Sequence, residues 1–371
     1  MGAIEDEIAR IEEEIRKTHY NKATQGHVGR LKAKIAVLRL EREKRARSGG
    51  GGGPGYAVRK SGHATVALVG YPSVGKSTLL THLTGAESEA AAYEFTTTTI
   101  IPGMLSWRGA AIQILDMPGL IPGASTGRGR GREVISVARN SDLILFLLDK
   151  THLEFRSLLA ELERAGIRTN QRPPRIVVTS KERGGVEVHS TVRLTKMDAE
   201  QVEGIVREFH LHNADVVLRE DATPEQLIDV LAGNRVYIPA ILAVNKADLI
   251  APNERPPILH QLAPTKVLFV SAAREQGFQE LKEGIADALA FIRIYVKPPG
   301  QPPDLAEPVI LRRGNTIADL LQRLPPELGS SFRSALVWGK SAKFPGQTVG
   351  RDHPLADQDI VTVVVQRGTK A

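Results

Sequence analysis

The sequence predicts an α/β fold built on a parallel sheet, with helical and mixed α/β segments attached to it. From residue 64 onward, short apolar runs alternate with helical stretches, as in sheets whose strands are joined by crossover helices. Each run ends at a polar residue or a glycine, which is how the strands of such a sheet present loops to a ligand. The runs are Ala64–Val69, Ile112–Asp116, Leu143–Asp149 and Ile241–Asn245.

The first of these strands leads into a motif for phosphate binding. Residues 70–77 read Gly-Tyr-Pro-Ser-Val-Gly-Lys-Ser, which matches G-x-x-x-x-G-K-[ST] between a predicted strand and a predicted helix. Backbone N–H groups of such a loop surround phosphate oxygens, and the helix N-terminus adds its positive end. We expect Lys76 to reach the β- and γ-phosphates and the Ser77 hydroxyl to bind Mg²⁺. The predicted nucleotide contacts of the loop are Gly70, Pro72, Ser73, Val74, Gly75, Lys76, Ser77 and Thr78.

Two further segments supply partners for the metal and the γ-phosphate. Asp116-Met-Pro-Gly119 follows a strand, so Asp116 is placed to hold Mg²⁺ through water and the Gly119 N–H to bind the γ-phosphate. Taken alone, such a tetrapeptide is equally typical of a simple turn. In the stretch Phe95–Thr99, one threonine hydroxyl is expected to close over the metal when the γ-phosphate is present, and the alternative is an exposed strand.

The segment Asn245-Lys-Ala-Asp248 indicates which base is bound. Guanine offers N1–H and an exocyclic amine on one edge, and the Asp248 carboxylate accepts both. Adenine presents a lone pair there, which leaves a buried charge unpaired. Asn245 is predicted to bond to N7 and to brace the loops, and Lys246 to lie across the base. The sequence therefore predicts GTP and GDP as ligands and argues against an ATPase.

A last loop completes the predicted base pocket. Ser271 and Ala272 follow the apolar run Val267–Val270, which is expected to be a further strand of the sheet. The Ala272 N–H is predicted to meet the guanine O6. Four motifs in this order, each at a strand end, together predict a guanine nucleotide site.

The composition excludes several other protein classes. Of 371 residues 42% are hydrophobic, yet no apolar run is long enough to span a bilayer, and Met1–Arg16 lacks the order of a signal peptide. The absence of cysteine excludes disulfides and thiolate zinc sites. We expect a cytoplasmic protein without a membrane partner. The net charge of +7 permits an RNA or ribosome partner without requiring one.

Residues 1–48 are predicted to form a helical hairpin with a turn at Thr18–His27. Isoleucines recur at helical spacing in the first arm, and the second arm is basic. Two alternatives stand for that arm: a coiled, solvent-facing helix, or a contact surface for phosphates. Gly49–Gly55 is either a linker or a fixed glycine turn.

The rest of the chain divides into an interrupted nucleotide-binding domain and a C-terminal unit. We expect the nucleotide domain at 49–171 and 236–292, a small α+β insertion at 172–235 and the last unit at 293–371. In the insertion, Ile176–Thr179 and Val186–Val192 are predicted to form a hairpin, and residues 199–209 and 224–232 to be helical. In the last unit, a short mixed sheet is expected to hold one helix at Thr316–Leu324, with Thr316 or Asn315 as its cap.

With these features in place, the chain resembles the developmentally regulated GTP-binding protein (DRG) family of the Obg-like GTPases. The stretches that carry the resemblance are Gly49–Gly55, Val69–Thr78, Ala91–Thr97, Gly127–Arg132, His212–Asp215, Arg219–Thr223, Gly233–Pro239 and Ala335–Gly339. The resemblance implies a P-loop GTPase domain with an S5D2L-like insertion, an N-terminal helical hairpin and a C-terminal TGS domain of β-grasp shape. It also implies association with ribosomes and translation, and an accessory protein as a further candidate partner.

The resemblance also implies site chemistry. Thr97 aligns with the magnesium threonine of the family. K⁺ is a candidate second cation, with Ser73 at the position where potassium-using relatives commonly carry Asn. We expect GTP hydrolysis with Lys76, Thr97 and Gly119 as catalytic groups. The rate should be slow, because Leu120 stands where many GTPases place the glutamine that orients water. The alternative is a nucleotide-gated scaffold for RNA or protein with little turnover.

Overall fold

The structure, a computed structural model, describes residues 3–19, 21, 24–48, 60–84, 101–117 and 131–366. Several predicted features lie outside these residues. They are the glycine-rich segment 49–55, the threonine stretch with Thr97, Gly119 with Leu120, and the glycine-rich segment up to residue 130. Within the described ranges, no helix has both the length and the apolar character needed to cross a bilayer.

Helices and strands alternate through most of the described chain. The helices are α1 (Ala3–Lys17), α2 (Gln25–Ser48), α3 (Lys76–Thr84), α4 (Gly131–Asn140), α5 (Phe155–Arg164), α6 (Ala199–Glu208), α7 (Pro224–Ala232), α8 (Arg255–Leu262), α9 (Phe278–Ala288), α10 (Ile317–Leu321) and α11 (Pro326–Ser330). The strands are β1 (Ala64–Gly70), β2 (Ile101–Trp107), β3 (Ala110–Asp116), β4 (Leu143–Leu148), β5 (Ile167–Thr169), β6 (Ile176–Ser180), β7 (Val186–Ser190), β8 (Ala214–Leu218), β9 (Val236–Ile238), β10 (Ala240–Val244), β11 (Val267–Phe269), β12 (Phe291–Val296), β13 (Val309–Arg312), β14 (Phe332–Trp338), β15 (Gln347–Val349) and β16 (Asp359–Val365).

The chain forms two compact units, and each is made of two separate segments. The first comprises residues 1–55 and 166–237, and the second comprises residues 56–165 and 238–371. The N-terminal helices therefore belong to the same unit as the inserted segment.

A six-stranded sheet forms the centre of the second unit, in the order β11-β10-β4-β1-β3-β2. All neighbours are parallel except β2 and β3, which are antiparallel. Strands β1 and β4 are buried along their whole length, as expected for strands covered on both faces. The carboxyl ends of β1, β3, β4 and β10 therefore meet at one edge of the sheet, and the predicted P-loop α/β fold is confirmed.

The C-terminal part of this unit is a five-stranded sheet in the order β13-β12-β16-β14-β15, packed on α10. The predicted β-grasp TGS domain is confirmed. Helix α10 is shorter than the predicted Thr316–Leu324, although Thr316 is its N-cap. Leu324 precedes Pro325, and a proline disfavours the helical conformation of the residue before it.

Strand β13 of the TGS domain also contributes to the core of the nucleotide domain. Ile310 is 5% exposed and lies in one apolar cluster with Ile112 and Leu289. Next to it, Arg312 Nη2 lies 2.8 Å from Asp142 Oδ1, and Asp142 directly precedes β4. The two domains of this unit thus share buried surface.

In the first unit, β6, β8 and β7 form a three-stranded sheet in that order. Strand β8 pairs antiparallel with β6 and parallel with β7. The predicted hairpin of β6 and β7 is therefore wrong, since the two strands lie on opposite sides of β8. Alternate residues of β8 (Ala214, Val216 and Leu218) are fully buried, so this apolar strand takes the central position, where both of its edges are paired.

The second helix of the N-terminal pair is part of the core of this unit. Ala33 and Ala36 of α2 are buried in the cluster that α6, α7 and the sheet form. Several basic side chains of α2 form ion pairs, namely Lys32 with Glu225, Lys34 with Glu7 and Arg39 with Glu12. Neither predicted alternative describes α2 fully, because one of its faces is buried and these cations already have carboxylate partners.

Candidate nucleotide site

The phosphate loop joins β1 to α3 at the carboxyl edge of the six-stranded sheet. Lys76 folds back over the loop, where its Nζ donates to the carbonyl oxygens of Tyr71 at 2.9 Å and Gly70 at 3.4 Å. Burial lowers the pKa of Lys76, against the opposing charge of Asp116. Of the other predicted contacts, Val74 is buried, whereas Pro72, Ser73, Ser77 and Thr78 are exposed. The exposed positions leave the loop open to a ligand.

Two glycines of the loop are required by close approaches. A Cβ atom at Gly70 would lie 2.2 Å from the carbonyl oxygen of Leu147 on β4. A Cβ atom at Gly75 would lie 2.4 Å from Asn245 Nδ2, and Gly75 also has a φ of +91°. Both positions therefore exclude larger residues for steric reasons, and Gly75 also for its backbone conformation.

Ser77 and Asp116 lie together, as the metal prediction requires. Ser77 Oγ donates to Asp116 Oδ2 at 2.5 Å. Asp116 Oδ1 is buried and has no hydrogen-bond partner among the described residues. Burial raises the pKa of Asp116, while the Ser77 hydroxyl and the Lys76 charge act in the opposite direction. A buried carboxylate oxygen without a partner beside a hydroxyl is the oxygen chemistry that Mg²⁺ takes, so these residues fit that ion.

Asn245 connects the phosphate loop with the loop after β11. Its Nδ2 donates to the Val74 carbonyl at 2.8 Å, and its Oδ1 accepts from the Ala272 N–H at 2.9 Å. Asn245 is buried, so both bonds are protected from water. The predicted contact of the Ala272 N–H with guanine O6 requires that this N–H be shared with Asn245 or released by it.

Lys246 reaches back to the phosphate loop. Its backbone has a φ of +58°, and its Nζ donates to the Ser73 carbonyl at 2.9 Å and to Asp149 Oδ2 at 2.6 Å. Asp149, at the carboxyl end of β4, was not among the predicted site residues. Burial would raise the pKa of Asp149, but hydrogen bonds from Lys246, Thr151 and His152 outweigh it and hold the pKa at about 2. A charged residue directly after six apolar ones is the sequence signal for this position.

Asp248 and Ser271 form the remaining part of the base loops. A hydrogen bond from the Ser271 side chain lowers the pKa of Asp248, and the nearby Arg274 acts in the same direction. Arg274 Nε lies 3.5 Å from Asp248 Oδ2. Ser271 itself is fully buried. The Asp248 carboxylate is therefore ionised and oriented, as a partner for two N–H donors must be.

The predicted site residues within the described chain lie at one edge of one sheet. On the phosphate side, hydrogen bonds join Lys76 to the loop backbone and Ser77 to Asp116. On the base side, hydrogen bonds join Asn245 to Val74 and Ala272, and Lys246 to Ser73. Thr97 and Gly119 lie outside the described residues. The arrangement offers a cationic loop with backbone N–H groups at one end and an oriented carboxylate at the other.

Comparison with known families divides the chain in the same way. A family described as "50S ribosome-binding GTPase" matches residues 65–181, and one described as the C-terminal region of that domain matches residues 183–291. The TGS domain family matches residues 292–365.

Relatives match the chain over nearly its whole length. An uncharacterized GTP-binding protein of Methanocaldococcus jannaschii is 54% identical over 99% of this chain and 94% of its own. Developmentally-regulated G-protein 3 of Arabidopsis thaliana is 47% identical over 98% of this chain and 99% of its own. Developmentally-regulated GTP-binding protein 2 of Homo sapiens is 44% identical over 98% of this chain and 100% of its own. The chain is thus a GTP-binding protein and belongs to the developmentally regulated GTP-binding protein family of the Obg-like GTPases.

Proposed function

We propose that the chain hydrolyses GTP to GDP and phosphate at this site with Mg²⁺, and that it acts on ribosomes in the cytoplasm as a regulator of translation. The observation that carries the hydrolytic part is the buried Asp116 Oδ1 beside the Ser77 hydroxyl, an oxygen that no described residue hydrogen-bonds. Family membership supports GTP hydrolysis in general.

The phosphate side of the site is prepared for a polyanion. The Lys76 ammonium donates hydrogen bonds to two loop carbonyls. A phosphate that enters the loop would replace these carbonyls as the acceptor and form a charge-assisted hydrogen bond with the ammonium group. Ser77 and Thr97 would hold Mg²⁺ through their hydroxyls and Asp116 would hold it through water, and the ion would neutralise charge on the transferred phosphoryl group. The Gly119 N–H would bind the γ-phosphate.

The base side is prepared for guanine. Ser271 orients the Asp248 carboxylate, which would accept from N1–H and the exocyclic amine. Asn245 holds the loops at the position where its amide would meet N7. Lys246 would lie across the base from its place beside Ser73. Because these groups are ordered before the nucleotide arrives, binding costs less conformational entropy.

The intrinsic rate should be slow. A leucine at position 120 cannot orient the attacking water, so the water must be held by another group, a cation such as K⁺, or a partner. We expect turnover to rise when ribosomes or an accessory protein are added.

The ribosome assignment is supported by the name of the matching family and by exposed cations on the TGS domain. Arg323, Arg333, Lys340 and Lys343 are exposed, whereas Arg312 is engaged with Asp142. If these cations contact RNA phosphates, binding should weaken with salt, each contact adding roughly 0.7 to 0.9 to the log–log slope.

Three measurements test the proposal. Calorimetry should show GTP and GDP binding far more tightly than ATP, and equal affinity would contradict the guanine site. Phosphate release should be measured with ribosomes in K⁺ and in Na⁺. Pelleting with ribosomes should favour the GTP form, and the double substitution Arg333→Glu and Lys340→Glu should reduce it without changing GTP affinity.

Substitutions are preferable to removal of the TGS domain, because Ile310 fills part of the nucleotide-domain core and its loss would uncover that core. Nucleotide-dependent ribosome binding without any turnover would favour the scaffold alternative. Absence of ribosome binding in either nucleotide state would contradict the translational role.

A further inference from the structure

We propose that Asp149 is a positioning residue of the guanine site: its carboxylate holds the Lys246 ammonium against the phosphate loop and so fixes the base loop before the nucleotide binds. Asp149 touches neither phosphate nor base in this role and acts through Lys246. The inference rests on the proposed nucleotide role of Lys246.

The two carboxylate oxygens of Asp149 have separate partners. Oδ2 accepts from Lys246 Nζ at 2.6 Å. Oδ1 accepts from the Thr151 N–H at 3.1 Å, the Thr151 hydroxyl at 2.7 Å and the His152 N–H at 3.0 Å, and His152 Nδ1 also lies 3.1 Å from it. The Asp149 side chain is 2% exposed, so these bonds are shielded from water. One oxygen therefore holds the following loop and the other holds Lys246.

Lys246 needs such an anchor because its side chain is long and nearly half exposed. A free lysine samples many rotamers, and ordering it when the base arrives would weaken binding. Its second anchor is the neutral Ser73 carbonyl at 2.9 Å. The buried Asp149 carboxylate is held in place through Oδ1 by the loop at residues 151–152. Its Oδ2 therefore determines the position of the Lys246 ammonium group. Together the two anchors connect the base loop to the phosphate loop.

A purely structural role for Asp149 would run through Oδ1 and the loop at 151–152. That loop also reaches the phosphate loop, because the rings of His152 and Tyr71 stack with their centroids 5.6 Å apart. The separate use of the two oxygens allows the two roles to be distinguished by substitution.

Asp149→Asn removes the Lys246 contact and spares the loop. Three donors converge on the Oδ1 position, so the amide oxygen of Asn should remain there. Its NH₂ group then faces Lys246 Nζ, donor against donor, and Lys246 is released. Thr151→Val is the matched control, because it removes one donor to Oδ1 and leaves the Lys246 contact in place.

The experiment is a double-mutant cycle on GDP affinity, measured by calorimetry on the full chain. We expect Asp149→Asn to raise the Kd for GDP and for GTP about tenfold, a typical coupling for groups in contact. Thr151→Val should change either Kd by less than about twofold. In a Lys246→Met background, Asp149→Asn should raise the Kd further by less than about twofold, because the ammonium group that Asp149 holds is already absent.

The outcomes separate cleanly. The positioning role is overturned if Asp149→Asn lowers nucleotide affinity equally in the presence of Lys246 and in the Lys246→Met background. It is also overturned if Asp149→Asn does not lower the affinity when Lys246 is present. A loss from Thr151→Val as large as that from Asp149→Asn overturns it too, because the loop would then be the cause. If Asp149→Asn fails to fold, Asp149→Ser serves as a second variant, since its single hydroxyl is too short to bridge the loop and Lys246 as the carboxylate does. Wild-type protein with equal affinity for GDP and ADP would instead contradict the guanine site itself.

Discussion

Asn245→Ala removes the link between the phosphate loop and the loop after β11. The substitution deletes the bond from Nδ2 to the Val74 carbonyl at 2.8 Å and the bond from the Ala272 N–H to Oδ1 at 2.9 Å. Each buried hydrogen bond contributes about 1 kcal/mol net, and an unpaired buried backbone group adds to the loss. We therefore expect the free energy of unfolding of the nucleotide-free protein to fall by about 2–3 kcal/mol. GDP affinity should fall at least about tenfold, because the guanine N7 contact is lost as well.

Urea unfolding followed by tryptophan fluorescence measures the first effect. A Trp338→Phe background leaves Trp107 as the reporter, on β2 of the sheet whose strand β10 ends directly before Asn245. Ser141→Ala is the control: it removes one buried bond, from Ser141 Oγ to the Val137 carbonyl, away from the site. It should cost about 1 kcal/mol and leave GDP affinity unchanged. A loss below about 0.5 kcal/mol for Asn245→Ala, with GDP affinity retained, would refute the bracing role.

Further predictions concern the phosphate loop, base choice and acid stability. Gly75→Ala should lower GTP affinity at least about tenfold in calorimetry, because its Cβ meets Asn245 Nδ2 and its φ is positive; normal affinity would contradict the loop geometry. Asp248→Asn should weaken GTP and improve xanthosine triphosphate, whose C2 carbonyl needs a donor, and an unchanged preference would be inconsistent with the assigned base contact. Burial raises the pKa of Asp142, but a backbone N–H, Arg312 and Lys60 outweigh it, and the folded pKa lies below the ordinary value. This contribution to stability is present above pH 4 or so and is lost as the pH falls through the folded pKa. Arg312→Ala should therefore move the midpoint of acid unfolding to higher pH and cost about 0.5–1 kcal/mol at neutral pH; an unshifted acid midpoint would argue against the pair.

The nucleotide domain could be predicted because its signals are local. Strands β1 and β4 are continuous apolar runs, and the residue that follows such a run must lie at the carboxyl edge of the sheet. A short motif such as that at residues 70–77 also contains both the glycines and the charges that the loop needs. The spacing of residues along the chain was therefore sufficient to predict most of the fold and motifs of this domain.

The features that were missed depend on contacts distant in sequence. Strand β8 was overlooked because the polar segment between β6 and β7 has the length of a hairpin turn, while the pairing partner lies further along the chain. Asp149 belongs to no short motif. Its importance becomes visible only from the hydrogen bond that it accepts from Lys246, which lies 97 positions further along the chain. Ile310 reads as a residue of its own domain, and only packing shows that it also fills a neighbouring core.

The participation of α2 in the core of the first unit has a consequence for folding during synthesis of the chain. Lys32 and its partner Glu225 are 193 positions apart. At synthesis rates of about 5–20 residues per second, α2 waits roughly 10–40 s for α7 to be translated. During that time α1 can cover the side of α2 that carries Ile35, while the side with Ala33 and Ala36 still lacks the part of its core that α7 supplies. A nascent chain shorter than about 237 residues therefore displays an unfinished helical pair, which is the state in which chaperones and proteases would meet it.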